Sequence, residues 1–311
     1  MTAGALIIAV LTSAIISATP ILYACIGEIF SQRAGVMNLG LEGIMLMGAV
    51  TAYLTCVGTK NLALSVLVAL IVGGAFGFVY ALLTVTLQAN QVVSGLAMMT
   101  FGTGLSGFIG KAVAHAASTV KFNKIEIPGL SKIPFIGDIF FKHDLLVYIL
   151  FLLVPIAYFY IFKTRAGLKL RALGENPGAL DADGVNVYRL RYLYIMAGCA
   201  LVALGGAYLT LAYTPFWTEG MSAGKGWIAS ALVIFASWNP LMAALGALLF
   251  GGINVIGNYV QLYYPGIPTH FIAMLPYVCT IVVLIFSTGS FRNKHSSAPA
   301  ALTIPYDRES R

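Results

Sequence analysis

Four polar side chains crowd one short stretch of an otherwise apolar chain. In GEIFSQRAGVMNLGLEG, residues 27–43, Glu28, Arg33, Asn38 and Glu42 stand among four glycines. Such groups can orient a small solute or satisfy broken backbone. They do not make a catalytic set. The chain has no P-loop, no HExxH and no GxSxG. His115, His143, His270 and His295 are scattered, so no metal-ligand spacing arises and no cofactor is called for. Cys25, Cys56, Cys199 and Cys279 form no CxxC pair and read as buried small hydrophobes. The chemistry on offer is recognition and passage, not turnover.

A second constellation is the polar island Lys163–Arg191, KTRAGLKLRALGENPGALDADGVNVYRLR, with six basic and three acidic residues. It must lie outside the hydrocarbon. Lys163–Leu173 alternates charge and apolar residues as a short amphipathic helix does. Gly174 permits a break. Asn176 suits an N-cap, Pro177 the first helical position and Gly184 a left-handed stop, which predicts a second short helix over 177–183. A loop built this way is a docking surface or, more plainly, a charged connector.

The elements that carry these residues are membrane spans. Of 311 residues 59% are hydrophobic and 9% charged, and mean hydropathy is +0.89, whereas a soluble domain carries roughly 25% charged residues. The net charge of +7 does not point to nucleic acid, because ten of the eighteen basic residues sit in the island and the C-terminal tail, as a cytoplasmic bias places them. Apolar stretches at 5–26, 44–57, 62–87, 92–113, 144–162, 192–213, 227–238, 241–260 and 270–286 predict an all-α polytopic helical bundle of about nine segments, eight to ten allowed. Residues 1–290 form one transmembrane domain, and 291–311 a polar, flexible tail. A cytoplasmic island puts the N-terminus and the 114–143 loop outside, Ser131 and Ser222 with them, and the C-terminus inside.

Two spans are too short. Ile44–Val57 must borrow from the Gly-rich run, and Trp227–Trp238 is a short or re-entrant piece. Each follows a Gly-rich polar lead, over 35–55 and 220–237, and the predicted topology runs them in opposite directions. Paired broken segments point to a transporter's binding site. Asn38 and Glu42 on one, Trp227 and Ser230 on the other, and the Gly-rich Thr100, Phe101 stretch between them are the candidate path. Asn38 and Glu42 equally suit capping of the second span, and Trp227 an interfacial anchor.

Three stretches carry a resemblance. Gly27–Ala49, Arg171–Val187 and GKGWIASALVIFASWNPLMAALGALLFGG at Gly224–Gly252 resemble the membrane subunit of ABC importers for simple sugars, nucleosides and branched-chain amino acids. The first is most similar to nucleoside permeases that work with basic-membrane-protein lipoproteins. The resemblance implies a bacterial inner-membrane complex, with two ABC ATPase subunits, a paralogous second permease subunit and an extracytoplasmic substrate-binding lipoprotein. It also implies that Arg171, Ala172, Gly174, Glu175, Asn176, Pro177, Ala179, Leu180 and Gly184 couple to the ATPase. One departure stands out: Gly178, Ala179 and Leu180 occupy the EAA positions before Gly184, without the acidic residue. Ribose-like sugars and flavins compete with nucleosides as substrates. A secondary transporter would need a deep ionisable relay, and a channel would need a filter and no docking loop.

Overall fold

The computed structural model describes residues 3–113, 120–263 and 298–308, with single positions between 266 and 282. Its long helices are α1 (Ala3–Arg33), α2 (Leu41–Thr59), α3 (Leu62–Ala81), α4 (Gln91–Gly110), α6 (Leu145–Lys163), α9 (Val187–Tyr208) and α11 (Pro240–Tyr263). Between them lie the short α5 (Ile136–Phe140), α7 (Arg165–Glu175), α8 (Pro177–Ala182) and α10 (Lys225–Phe235). The starts are written in the sequence. Asn61, Asp144 and Asn186 accept backbone N–H bonds at the N-caps of α3, α6 and α9, and Asn90 accepts two at that of α4.

Seven helices among the described residues are long and apolar enough to cross a membrane. They match seven of the nine expected segments. The eighth, α10, has 11 residues, about 16 Å at 1.5 Å per residue, and so covers about half of a 30 Å hydrocarbon core. The ninth, 270–286, falls largely outside the described residues, so the expected count of nine is not reached.

Helices α9 and α2 are the most buried of the spans. Helix α9 packs against α1, α2 and α3, and its close approaches rest on missing side chains. A methyl group on Gly48 of α2 would collide with the Ala203 carbonyl, and one on Gly206 of α9 with that of Met45. Small residues let helix backbones meet where lipid gives no hydrophobic drive. Gly73 and Gly77 of α3 likewise face α9, while Gly74 faces open space.

Connections gather at two ends of the bundle. At one, the guanidinium groups of Arg33 and Arg171 flank the Phe162 ring, 5.6 and 5.8 Å from its centroid. At the other, Phe122 N–H donates to the Leu211 carbonyl at 2.9 Å, Thr12 Oγ1 to the Asp138 carbonyl at 3.2 Å and Tyr208 to Asp144 at 3.3 Å. There a two-stranded antiparallel pair, β1 (Ile125–Glu126) and β2 (Lys142–His143), closes the loop before α6. Residues 298–308 are not a free tail. They lie against α7 and α8, because Ala301 and Leu302 bury apolar surface there.

Replacing Gly206 by Leu drives a side chain into α2. The expected cost is at least the ~1–3 kcal/mol of an overpacked core. A lower thermal unfolding midpoint of the detergent-solubilised protein checks it; an unchanged midpoint would mean that the α2–α9 contact is not held this tightly.

Candidate functional site

The two broken segments meet. Helix α2 begins at Leu41 without a side-chain N-cap, and Glu42 in its first turn reaches across to α10. Glu42 Oε1 accepts from Ser222 Oγ at 2.6 Å and Gly224 N at 2.8 Å, and Oε2 accepts from Gly226 N at 2.7 Å. The carboxylate thus satisfies first-turn donors of a helix that starts inside the bundle, where its charge also opposes the helix dipole. Gly224, at φ +80°, turns the chain into α10. At Gly226, a Cβ would stand 2.5 Å from the Glu42 backbone nitrogen. Ser222, expected on the outer surface, is fully buried instead, because its hydroxyl is needed by Glu42.

A second network lies one turn away. Glu28 on α1 is fully buried; its Oε1 accepts from Gln32 Nε2 at 2.8 Å and from the Asn38 backbone N–H at 2.9 Å. Gln32 in turn accepts from Trp238 Nε1 at 2.7 Å, and Arg33 donates to the Trp238 carbonyl at 3.4 Å. Asn38 Oδ1 accepts from Gly40 N at 2.8 Å, while its amide donates to Cys199 Sγ at 3.4 Å. Asn38 is fully buried. One chain of bonds therefore ties the α10–α11 turn, α1, the α1–α2 connection and α9.

The other path candidates separate into inner and outer positions. Ser230 is buried in α10. Trp227 on α10 and Phe101 on α4 are exposed, with Phe101 set against the Phe76 ring at 5.8 Å. Thr100, also exposed, spends its hydroxyl on the Leu96 carbonyl at 3.0 Å. The segment before α10 runs along α4: the Trp217 ring fills the place of a Gly110 side chain, and Glu219 lies beside Gly107. The structure joins Glu42 to the start of α10 and ties Asn38 to Glu28, Gly40 and Cys199, and among the described residues it leaves Thr100, Phe101 and Trp227 exposed.

The polar island folds as two helices. Asn176 Oδ1 accepts from Ala179 N at 3.0 Å, Pro177 opens α8, and Gly184 at φ +80° closes its C-terminal turn. Gly174 does not break α7. It is helical, and its lack of a side chain lets α7 approach α1, where a Cβ would strike the Arg33 carbonyl. Ala172 accepts the Asn176 N–H at 2.8 Å. Leu180 is buried against the bundle, whereas Glu175, Asn176 and Ala179 face outward. Arg171 is half-buried on Phe162. Burial, followed by the hydrogen bond and charge of Asp181, raises the Tyr306 phenol above its ordinary value.

Residues 10–285 match the model of the branched-chain amino acid transport system permease component. The chain belongs to this permease family. A nucleoside ABC transporter permease protein of Lactococcus lactis is 36% identical, aligned over 90% of this chain and 92% of the relative. A guanosine ABC transporter permease protein of Bacillus subtilis is 35% identical over 96% of each. A Haloferax volcanii protein provisionally named a glucose ABC transporter permease is 34% identical over 96% and 97%. No solved structure matches. As a permease, the chain is a multi-pass membrane transport subunit.

Gln32 and Trp238 are the network residues that sequence reasoning passes over, and it gives Glu28 no partner. Glu28 was visible as a charge in an apolar run, but nothing local tied it to Trp238, 210 positions away. The networks give one prediction for this permease. Glu42→Ala removes an acceptor of three donors and is expected to cost several kcal/mol, each charge-assisted bond contributing ~1.5–3. Asn38→Ala, which empties a fully buried site, is expected to destabilise as well. Thermal unfolding in detergent measures both, and a wild-type midpoint for Glu42→Ala would rule out its capping role.

Proposed function

We propose that this permease is the membrane-spanning subunit of an ATP-driven ABC importer for nucleosides in the bacterial cytoplasmic membrane. The observation that carries the reading is 35–36% identity, aligned over 90–96% of the chain, to nucleoside and guanosine permease proteins, joined to a folded, capped α7–α8 unit at one end of the bundle. ATP hydrolysis then belongs to ABC ATPase subunits docked on α7–α8. An extracytoplasmic substrate-binding lipoprotein delivers the solute at the opposite end, where the loop 120–143 lies. The end carrying α7 and α8 is cytoplasmic, which puts the N-terminus outside and the C-terminus inside.

A second permease subunit completes the path. Among the described residues Thr100, Phe101 and Trp227 are exposed, the Phe101 ring resting on that of Phe76, and a nucleoside base needs aromatic faces such as those of Phe101 and Trp227 to stack on. The same Bacillus has a second guanosine permease protein, 24% identical to this chain, which supports a paralogous heterodimer. Within this reading Asn38, Glu42 and Ser230 hold the broken helices that shape the path. A sugar substrate is the second reading, favoured by the Haloferax relative.

Binding of radiolabelled guanosine and of glucose to the cognate lipoprotein separates the two readings; uptake of glucose alone would replace the first by the second. Trp227→Ala is expected to lower nucleoside uptake about tenfold, near the ~1–3 kcal/mol of one lost base–aromatic stack, with the membrane level unchanged. Normal uptake would place the path elsewhere. For sidedness, a cysteine at Lys132 should react with an impermeant maleimide in intact cells and one at Ala182 only in inverted vesicles, since both sites are exposed. The opposite pattern would invert the topology.

A further inference from the structure

Helices α7 and α8 do not stand alone at their end of the bundle. Residues 298–308 return to them and are fixed at several points. Ala301 N–H donates to the Gly174 carbonyl at 2.8 Å, and Ala300 N–H to Glu175 Oε2 at 3.3 Å. Thr303 N–H donates to the Gly35 carbonyl at 3.3 Å, and Gln88 Nε2 to the Tyr306 carbonyl at 3.4 Å. Arg308 pairs with Asp181 of α8 at 2.8 Å. The Tyr306 ring lies 5.8 Å from that of Tyr188 and covers the buried Arg191 guanidinium at 5.9 Å.

These ties have a direction. Ala301 is buried and Leu302 packs on the core, so they seat the segment. Ile304 and Pro305 face outward, Ile304 being 56% exposed. They form one wall of a groove of about 300 Å³ whose other wall is Glu175, Asn176 and Pro177. Ala179 and Ala182 lie exposed on the adjoining α8. Arg308 is exposed, but the Asp181 carboxylate it meets is only 12% exposed, so the pair is partly shielded from water. The seat is made by the backbone bonds, by Ala301 and Leu302 and by this pair, which also sets the register. The segment holds apolar groups toward water beside α8, at a fixed position relative to it.

We propose that residues 298–308 are a third element of the surface that meets the ATPase, so that the subunit docks on α7, α8 and this segment together, with Ile304 and Pro305 in the contact. The proposal rests on the docking reading of α7–α8 given above. Its occupant is the same ATPase subunit, because the groove is continuous with the outward face of α8 and opens on the same side.

Three variants of the full importer, reconstituted in liposomes with its ATPase subunits and binding lipoprotein, test it. Ala179→Arg reports the docking reading itself. Ile304→Arg changes only the outer wall, and a stop at codon 298 removes the segment. The readouts are co-purification of the ATPase with the permease, and ATPase activity stimulated by loaded lipoprotein. Ala179→Arg and Ile304→Arg are each expected to lower stimulated activity at least fivefold at wild-type permease levels, and the truncation to abolish co-purification. If Ala179→Arg behaves as wild type, the docking reading fails and the proposal with it. If Ala179→Arg is defective but Ile304→Arg stimulates normally, the docking reading stands and the segment is not part of the surface, whatever the truncation does. A truncated chain that fails to fold leaves the decision to Ile304→Arg.

Discussion

A backbone that ends inside hydrocarbon must find its partners inside the protein, and Glu42 is how this chain meets that demand. Each unsatisfied N–H in a membrane costs several kcal/mol. Helix α10 starts at Lys225 without a side-chain cap of its own. The carboxylate of Glu42 takes the N–H groups of Gly224 and Gly226 and the hydroxyl of Ser222. It comes from the first turn of α2, itself a helix that begins late. Helix α10, 11 residues long, takes from α2 the acceptor that its own start lacks. The Gly-rich connections on both sides follow from this, since the two starts must touch.

The Glu28 network serves the other end of the same piece. The turn after α10 carries Ser237 and Trp238 at positive φ, a conformation that side-chain residues seldom adopt. Bonds from Trp238 to Gln32 and from Arg33 to its carbonyl hold it there. A half-length helix is thus anchored at its start by α2 and at its end by α1. The exposed side of α10, where Trp227 lies, is then the side without anchors.

Much of the site was legible from sequence, for a physical reason in each case. Asn176, Pro177 and Gly184 act through neighbours one to four positions away, so their capping of α8 could be read directly. The shortness of 225–235 followed from counting apolar residues against membrane thickness, and so did the need of the second span to borrow from the Gly-rich run, α2 reaching 19 residues by taking in Leu41–Gly43. Pairing of Glu42 with Ser222, and of Gln32 with Trp238, joins residues 180 and 206 apart, and no local pattern encodes it. Gly174 misled because a glycine that permits a break and one that permits close approach look alike in a sequence. The tail misled for a similar reason: its polar composition hid Ala301 and Leu302, two small anchors in a segment that otherwise reads as solvated.

The contact between α2 and α9 has a mechanical consequence. Backbones that touch through glycine have no side chains between them to act as a bearing, so one helix cannot slide or ratchet along the other without steric collision. Helices α1, α2, α3 and α9 therefore form a single stiff block, and α4 joins it, because a Cβ on Gly102 of α4 would stand 2.7 Å from the Gly43 carbonyl of α2. The block is, in this sense, a rigid arm, with α7 set against its end where Gly174 meets the Arg33 carbonyl.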